Sequence, residues 1–218
     1  MELLLILKNE ALKLVKKTRA WLGPILIFIL IMVAFPLTVE LTNNNLSDAF
    51  YPVLFISILL VMMLATEDIF LEDYEDGTLE LFFISEKSLS QWVFLKIFMH
   101  WLFIGVPISL LGAFFNIGAN NDLASSLMLF PALLIATYIF LILFCFGNSL
   151  SLTKGSVLGT LITLPLTLPI LVVLGKLNTA IIFNISYFEF LILLFGILSI
   201  IIFAFPAIIS RIIKTHLE

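Results

Sequence analysis

The chain has 218 residues, of which 62% are hydrophobic and only 12% charged: 11 Lys and Arg against 15 Asp and Glu, with two His. Soluble domains are about one quarter charged, and a globule of this size has too little interior for so many Leu, Ile and Phe side chains. Together with a mean hydropathy of +1.22 and a pI near 5.2, this excludes a soluble enzyme, a nucleic-acid binder and a disordered chain, and leaves an all-α polytopic membrane protein.

The first twenty residues, Met1–Ala20, are too polar to cross a bilayer. Leu4, Leu7, Ala11, Leu14 and Val15 follow helical spacing, while Lys13, Lys16, Lys17 and Arg19 gather at the end. That pattern predicts an amphipathic helix lying at the membrane interface, its cations toward anionic lipid. Met1–Leu7 is apolar before the chain becomes basic, the reverse of a signal peptide. Crossing about 30 Å of hydrocarbon takes about 20 apolar residues. Six stretches qualify or nearly do: Trp21–Val39, Tyr51–Ala65, Trp92–Phe115, Leu127–Leu150, Val157–Leu174 and Tyr187–Ser210.

Between the second and third spans lies an acidic segment, with Glu67, Asp68, Glu72, Asp73, Glu75, Asp76 and Glu80 packed into fourteen residues. Ile69, Phe70, Leu71, Tyr74 and Leu79 are interleaved with them, and Asp76-Gly77 marks a turn. Three readings are open for this segment. It is a solvated acidic loop, a hard-cation site without EF-hand spacing, or a docking element with Phe70 and Tyr74 as anchors. Ser88 and Gln91 predict a capped start for the third span.

His100, about 12 Å along that span from Trp92, is the one ionisable group well inside a span, and so a functional candidate. It could ligate haem iron, carry a proton, or bond across the bundle as a neutral ring. Lys96, one turn earlier, is expected to snorkel to the interface. Cys145, the single cysteine, falls inside the apolar run of the fourth span and predicts a small buried hydrophobe. In the fifth span, Pro165 and Pro169 remove two backbone donors within five residues and predict a kink or break facing the bundle, with Thr163 and Thr167 nearby to satisfy freed carbonyls. His216 in the C-terminal tail has no expected role.

With the N-terminus in the cytoplasm, Lys8, Lys13, Lys16, Lys17, Arg19, Lys87, Lys96, Lys154, Arg211 and Lys214 fall inside and only Lys176 outside. The positive-inside rule then places both termini on the cytoplasmic side. No G-x-x-x-x-G-K-[ST] phosphate loop, zinc-protease motif or completed G-x-S-x-G is present. Non-catalytic work with a separate energy-supplying subunit is the expectation, an intramembrane enzyme using His100 the remote alternative.

Three patterns in order resemble the CcmB family, the membrane subunit of the ABC-type haem exporter complex of cytochrome c maturation. The first is Glu67, Phe70 and Asp73 followed by Asp76-Gly77-Thr78-Leu79-Glu80. The second is Lys96, His100-Trp101, Gly105 and Pro107; the third is Leu164-Pro165-Leu166-Thr167-Leu168-Pro169-Ile170. One departure is Asp68, where the family often carries a basic residue. The resemblance implies a single permease domain over residues 1–218 with an ABC-2-exporter-like bundle, in a bacterial or mitochondrial inner membrane. Residues 67–90 would form the coupling segment. It further implies a CcmA-like ATPase that binds the ATP, with CcmC-, CcmD- and CcmE-like proteins alongside, and haem as substrate. Glu67, Phe70, Asp73, Tyr74, Asp76, Gly77, Leu79 and Glu80 would then seat the ATPase, and His100 and Trp101 would meet haem or form a polar network. No resident cofactor or metal site is expected. An ABC-2 permease for a lipid or polysaccharide is the alternative cargo.

Overall fold

The computed structural model describes residues 2–38, 45–84, 88–120, 122–153, 156–183 and 185–217. Met1, Val39, Lys87 and Lys154, which entered the reading of the spans and the charge placement, lie outside them. Every regular element among the described residues is helical, as expected where backbone groups must be satisfied without water. In order these are α1 (Glu2–Lys16), α2 (Thr18–Thr38), α3 (Asn45–Thr66), α4 (Leu71–Glu75), α5 (Thr78–Ile84) and α6 (Leu89–His100). A π-helical turn (Trp101–Gly105) joins α6 to α7 (Val106–Asn120), and α8 (Leu123–Leu150), α9 (Ser156–Phe183) and α10 (Tyr187–Leu217) follow.

Among the described residues, six segments are long and apolar enough to cross a membrane, built on α2, α3, the α6–α7 pair, α8, α9 and α10. They coincide with the six stretches read from sequence but run longer, because polar end residues extend each helix beyond its apolar core. Ser88 caps the third span by accepting from the Gln91 amide. Asp122 caps the fourth through the amides of Ala124 and Ser125, and hydrogen bonds from Ser125 and Ala124 hold its carboxyl below the usual carboxylate range.

The fourth span is the hub. From Ala136 to Cys145 every residue of α8 is buried, the mark of a helix apolar all round and surrounded by others. It packs against α3, α7, α9 and α10. Where α8 meets α9, a Cβ added to either Gly147 or Gly159 would collide with the other's carbonyl oxygen. Only glycine allows that crossing, as small residues do between membrane helices. The outer helices instead leave large side chains bare, Leu30, Phe114 and Phe203 among them, which in a bilayer meet lipid.

The proline run of the fifth span departs from expectation. α9 is a continuous helix through Pro165 and Pro169, and both prolines lie on its exposed side. Spaced four apart, they share one face, so the chain loses two donors on one edge and the helix persists on the other. Thr163 donates to the Gly159 and Thr160 carbonyls and Thr167 to that of Leu164. None of these is the carbonyl four residues before a proline.

Candidate functional site

One end of the bundle carries a buried ionic cluster built from three separate elements. Asp73 of α4, Glu10 of α1 and Lys96 of α6 expose only 2%, 4% and 5% of their surface. The Lys96 ammonium pairs with Asp73 and stands 3.4 Å from Glu10 Oε2. Lys13 of α1 reaches the second Asp73 oxygen at 2.7 Å, and the Trp92 indole N–H donates to Glu10 at 3.2 Å. Two carboxylates thus face two ammonium groups, the balance that permits charge away from water. Burial disfavours the Lys13 ammonium, but the hydrogen bond and charge of Asp73, with Glu10 and Asp76, outweigh it and raise its pKa above the ordinary lysine value. At the surface, Lys17, just past the end of α1, forms a further pair with Glu72 of α4.

The amphipathic helix expected near the N-terminus is present, and it is docked. Its inward face holds Glu10 and Leu14, while Lys8, Leu12, Val15 and Lys16 remain exposed. Lys96 does not snorkel outward as the sequence reading has it. Two carboxylates inside the bundle supply the partners that water would otherwise provide.

The acidic segment divides into an inner and an outer set. Phe70 and Leu79 are fully buried, and Asp73 nearly so. Phe70 and Asp73 hold the segment on the chain's own third span through Trp92 and Lys96, and Leu79 sits in the apolar core. Phe70 and Phe82 pack on Trp92 with ring centroids 6.2 and 5.4 Å away. Tyr74 is half-buried against the core. Glu67, Asp68, Glu72, Glu75, Asp76 and Glu80 are exposed. The turn expected at Asp76-Gly77 forms with Gly77 at φ 74°, and the Thr78 amide donates to Asp76 at 2.9 Å. Hydrogen bonds from Thr78 hold the Asp76 carboxyl below its ordinary range. Asp68 ends the second span in the left-handed region, at φ 61°, which Asp tolerates better than most residues. Across the bundle, Asn148 donates to the Thr66 carbonyl at 2.6 Å and ties that end of α3 to α8.

Deeper in the third span, His100 is buried, and its Nδ1 lies 2.9 Å from the Lys96 carbonyl. A carbonyl can only accept, so Nδ1 is the donor in this contact. His100 lines a cavity of about 840 Å³, together with Glu10, Lys13, Asp73 and Lys96, between α1, α2 and the acidic segment. Trp101, its neighbour in sequence, points elsewhere. The Trp101 ring sits over Gly105, and its N–H faces the Thr137 hydroxyl at 3.2 Å and the Leu134 carbonyl at 3.3 Å. Ser109 meets the same Thr137 oxygen at 3.2 Å. The two residues paired by sequence proximity thus belong to separate sites.

The family model described as CcmB protein matches residues 1–212 of the chain. The chain belongs to the CcmB family. It is 29% identical over 170 residues to heme exporter protein B of Pseudomonas aeruginosa, covering 77% of this chain and 76% of the relative. To heme exporter protein B of Haemophilus influenzae it is 28% identical over 184 residues, or 84% and 83% of the two chains. A putative cytochrome c biogenesis ccmB-like mitochondrial protein of Marchantia polymorpha is 26% identical over 198 residues, covering 88% of this chain and 66% of that one.

Within this CcmB-family chain, two of the patterns that carry the resemblance meet in space, because Asp73 of the first is bonded to Lys96 of the second. Sequence reasoning missed Glu10 and Trp92. Glu10 was readable: with Leu7 and Leu14 it occupies one helical face, and an acid on an apolar face needs a cation opposite. Trp92 gave no comparable signal.

Proposed function

We propose that this chain is the non-catalytic membrane subunit of an ABC-type complex that handles haem in cytochrome c biogenesis, and that its exposed carboxylates seat a separate ATPase. The observation that carries this reading is the division of the acidic segment. Its inner residues bind it to the third span, so that Glu67, Glu72, Glu75, Asp76 and Glu80 stand on a fixed support. Carboxylates displayed in this way steer and orient a basic surface. The names of the relatives favour haem over a lipid or polysaccharide as cargo. A CcmA-like subunit would supply ATP hydrolysis, with CcmC-, CcmD- and CcmE-like proteins in the assembly and the inner membrane of a bacterium or mitochondrion as its place. Both termini then lie on the cytoplasmic or matrix side, the side to which the Lys and Arg distribution assigns them.

The test is co-purification with the co-expressed ATPase. Reversal of Glu75 and Glu80 to Lys leaves the fold intact and detaches the ATPase, whereas an intact complex would refute the docking surface. His100, which lines the cavity, is assigned to contact with cargo or with a partner's polar group. His100→Ala then lowers cytochrome c yield, and an unchanged yield removes it from the site.

A further inference from the structure

Elements α4 and α5 have five and seven residues and are joined by turns at Asp68 and Gly77. Short helices linked by turns do not carry a push along their own chain. Any displacement of the acidic segment must therefore cross to the spans laterally. Two side chains, one helical turn apart on α6, receive it. Trp92 takes the apolar contacts of Phe70 and Phe82. Lys96 takes the ion pairs with Asp73 and Glu10, the latter also accepting from the Trp92 N–H, and its ammonium lies 5.1 Å from the centre of the Trp92 ring.

Lys96 reaches Asp73, 23 residues away in sequence, and Glu10, 86 residues away. One buried ammonium thus joins three elements that the chain itself does not hold together. Aromatic faces can slide on one another. A buried ion pair resists displacement because separation leaves both charges without solvent. Lys96 also holds the His100 ring through its own backbone carbonyl, so the same residue bounds the cavity.

We propose that Lys96 is the positioning residue that makes α1, α4 and the third span a single body, and that α1 is thereby part of the coupling platform. The exposed cations of α1 and the exposed carboxylates of the acidic segment then form one composite surface, with the Lys17–Glu72 pair at the seam. This assignment rests on the docking reading above for its functional consequence, though not for its structural one.

The experiment uses the full chain co-expressed with its ATPase subunit and reconstituted in lipid. Cys145 is replaced by Ala, and Leu14→Cys, on the buried face of α1, reports whether that helix is seated. With Lys96 intact, a membrane-impermeant thiol reagent labels Leu14→Cys slowly. Lys96→Met raises the labelling rate at least tenfold while the ATPase subunit stays bound, and cytochrome c matured per ATP hydrolysed falls at least tenfold. Lys96→Arg restores both. Should Lys96→Met fail to accumulate, the Asp73→Asn/Lys96→Met pair, which leaves neither partner of that ion pair charged, carries the same readouts. Unchanged labelling and an unchanged ratio in either variant overturn the proposal, as does release of the ATPase in step with the loss of maturation. If reversal of Glu75 and Glu80 leaves the ATPase bound, the docking reading falls, while the Leu14→Cys labelling still decides the role of Lys96.

Discussion

The third span takes part in two polar networks that solve the same problem with different chemistry. At its α6 end the bonds are ionic and run to α1 and α4, helices of fifteen and five residues. In its middle the bonds are neutral, and they run from Trp101 and Ser109 to Thr137 of the fourth span. A charge at mid-bilayer carries a desolvation cost that a hydroxyl does not, so the neutral network suits the place where one span must recognise another. The ionic cluster binds elements whose apolar area alone would hold them loosely. α1 shows this: Leu14 is the fully buried apolar residue among its described side chains, beside the ionic contacts of Glu10 and Lys13.

The comparison predicts unequal penalties. Lys96→Met alone leaves Asp73 and Glu10 buried without their shared cation and should cost about 3–5 kcal/mol, read as a fall in the thermal midpoint of the purified chain. The neutral pair Asp73→Asn/Lys96→Met should recover most of that loss, and failure to recover it would show that the site depends on packing and not on charge. Thr137→Val removes the partner of both Trp101 and Ser109 in the middle of the bundle. Hydrogen bonds between membrane helices average about 0.6 kcal/mol, so a loss near 1 kcal/mol is expected; a loss as large as that of Lys96→Met would erase the distinction.

The smallest effect belongs to Lys13, whose side chain is 41% exposed. Its folded pKa lies above the unfolded value of 10.5, so its contribution is complete below that pH and disappears as pH rises through the folded value. Solvent screening limits it to below about 1 kcal/mol. The stability-against-pH curve should bend down above that value, and Lys13→Met should flatten the bend.

Span number and placement were legible in the sequence because length and apolarity decide them. The turn at Gly77 and the cap at Ser88 were legible for local chemical reasons. The direction in which each acid faces was not. Seven carboxylates at irregular spacing look alike until the short helix α4 turns Asp73 toward Lys96 and leaves Glu72 and Glu75 outside. The proline run misled for a related reason. Missing donors argue for a break only if their side of the helix lies against the bundle, and Pro165 and Pro169 share the outward side. His100 and Trp101 looked like one site because they are adjacent, yet a helix sends neighbours about 100° apart.

The turn from Trp101 to Gly105 bears on how this chain tolerates change in length. A π turn holds one residue more than the α-helical turn it replaces, so it behaves as a fixed insertion. Its removal would rotate everything beyond it by about 100° and shift it by about 1.5 Å. Ser109, Gly112 and Asn116, which now meet Thr137, Leu133 and Ser126 of the fourth span, would swing away together while Lys96 stayed in place. The third span is thus two helices with separately set azimuths, one keyed to the acidic segment and the other to the hub, and the extra residue is the offset between them.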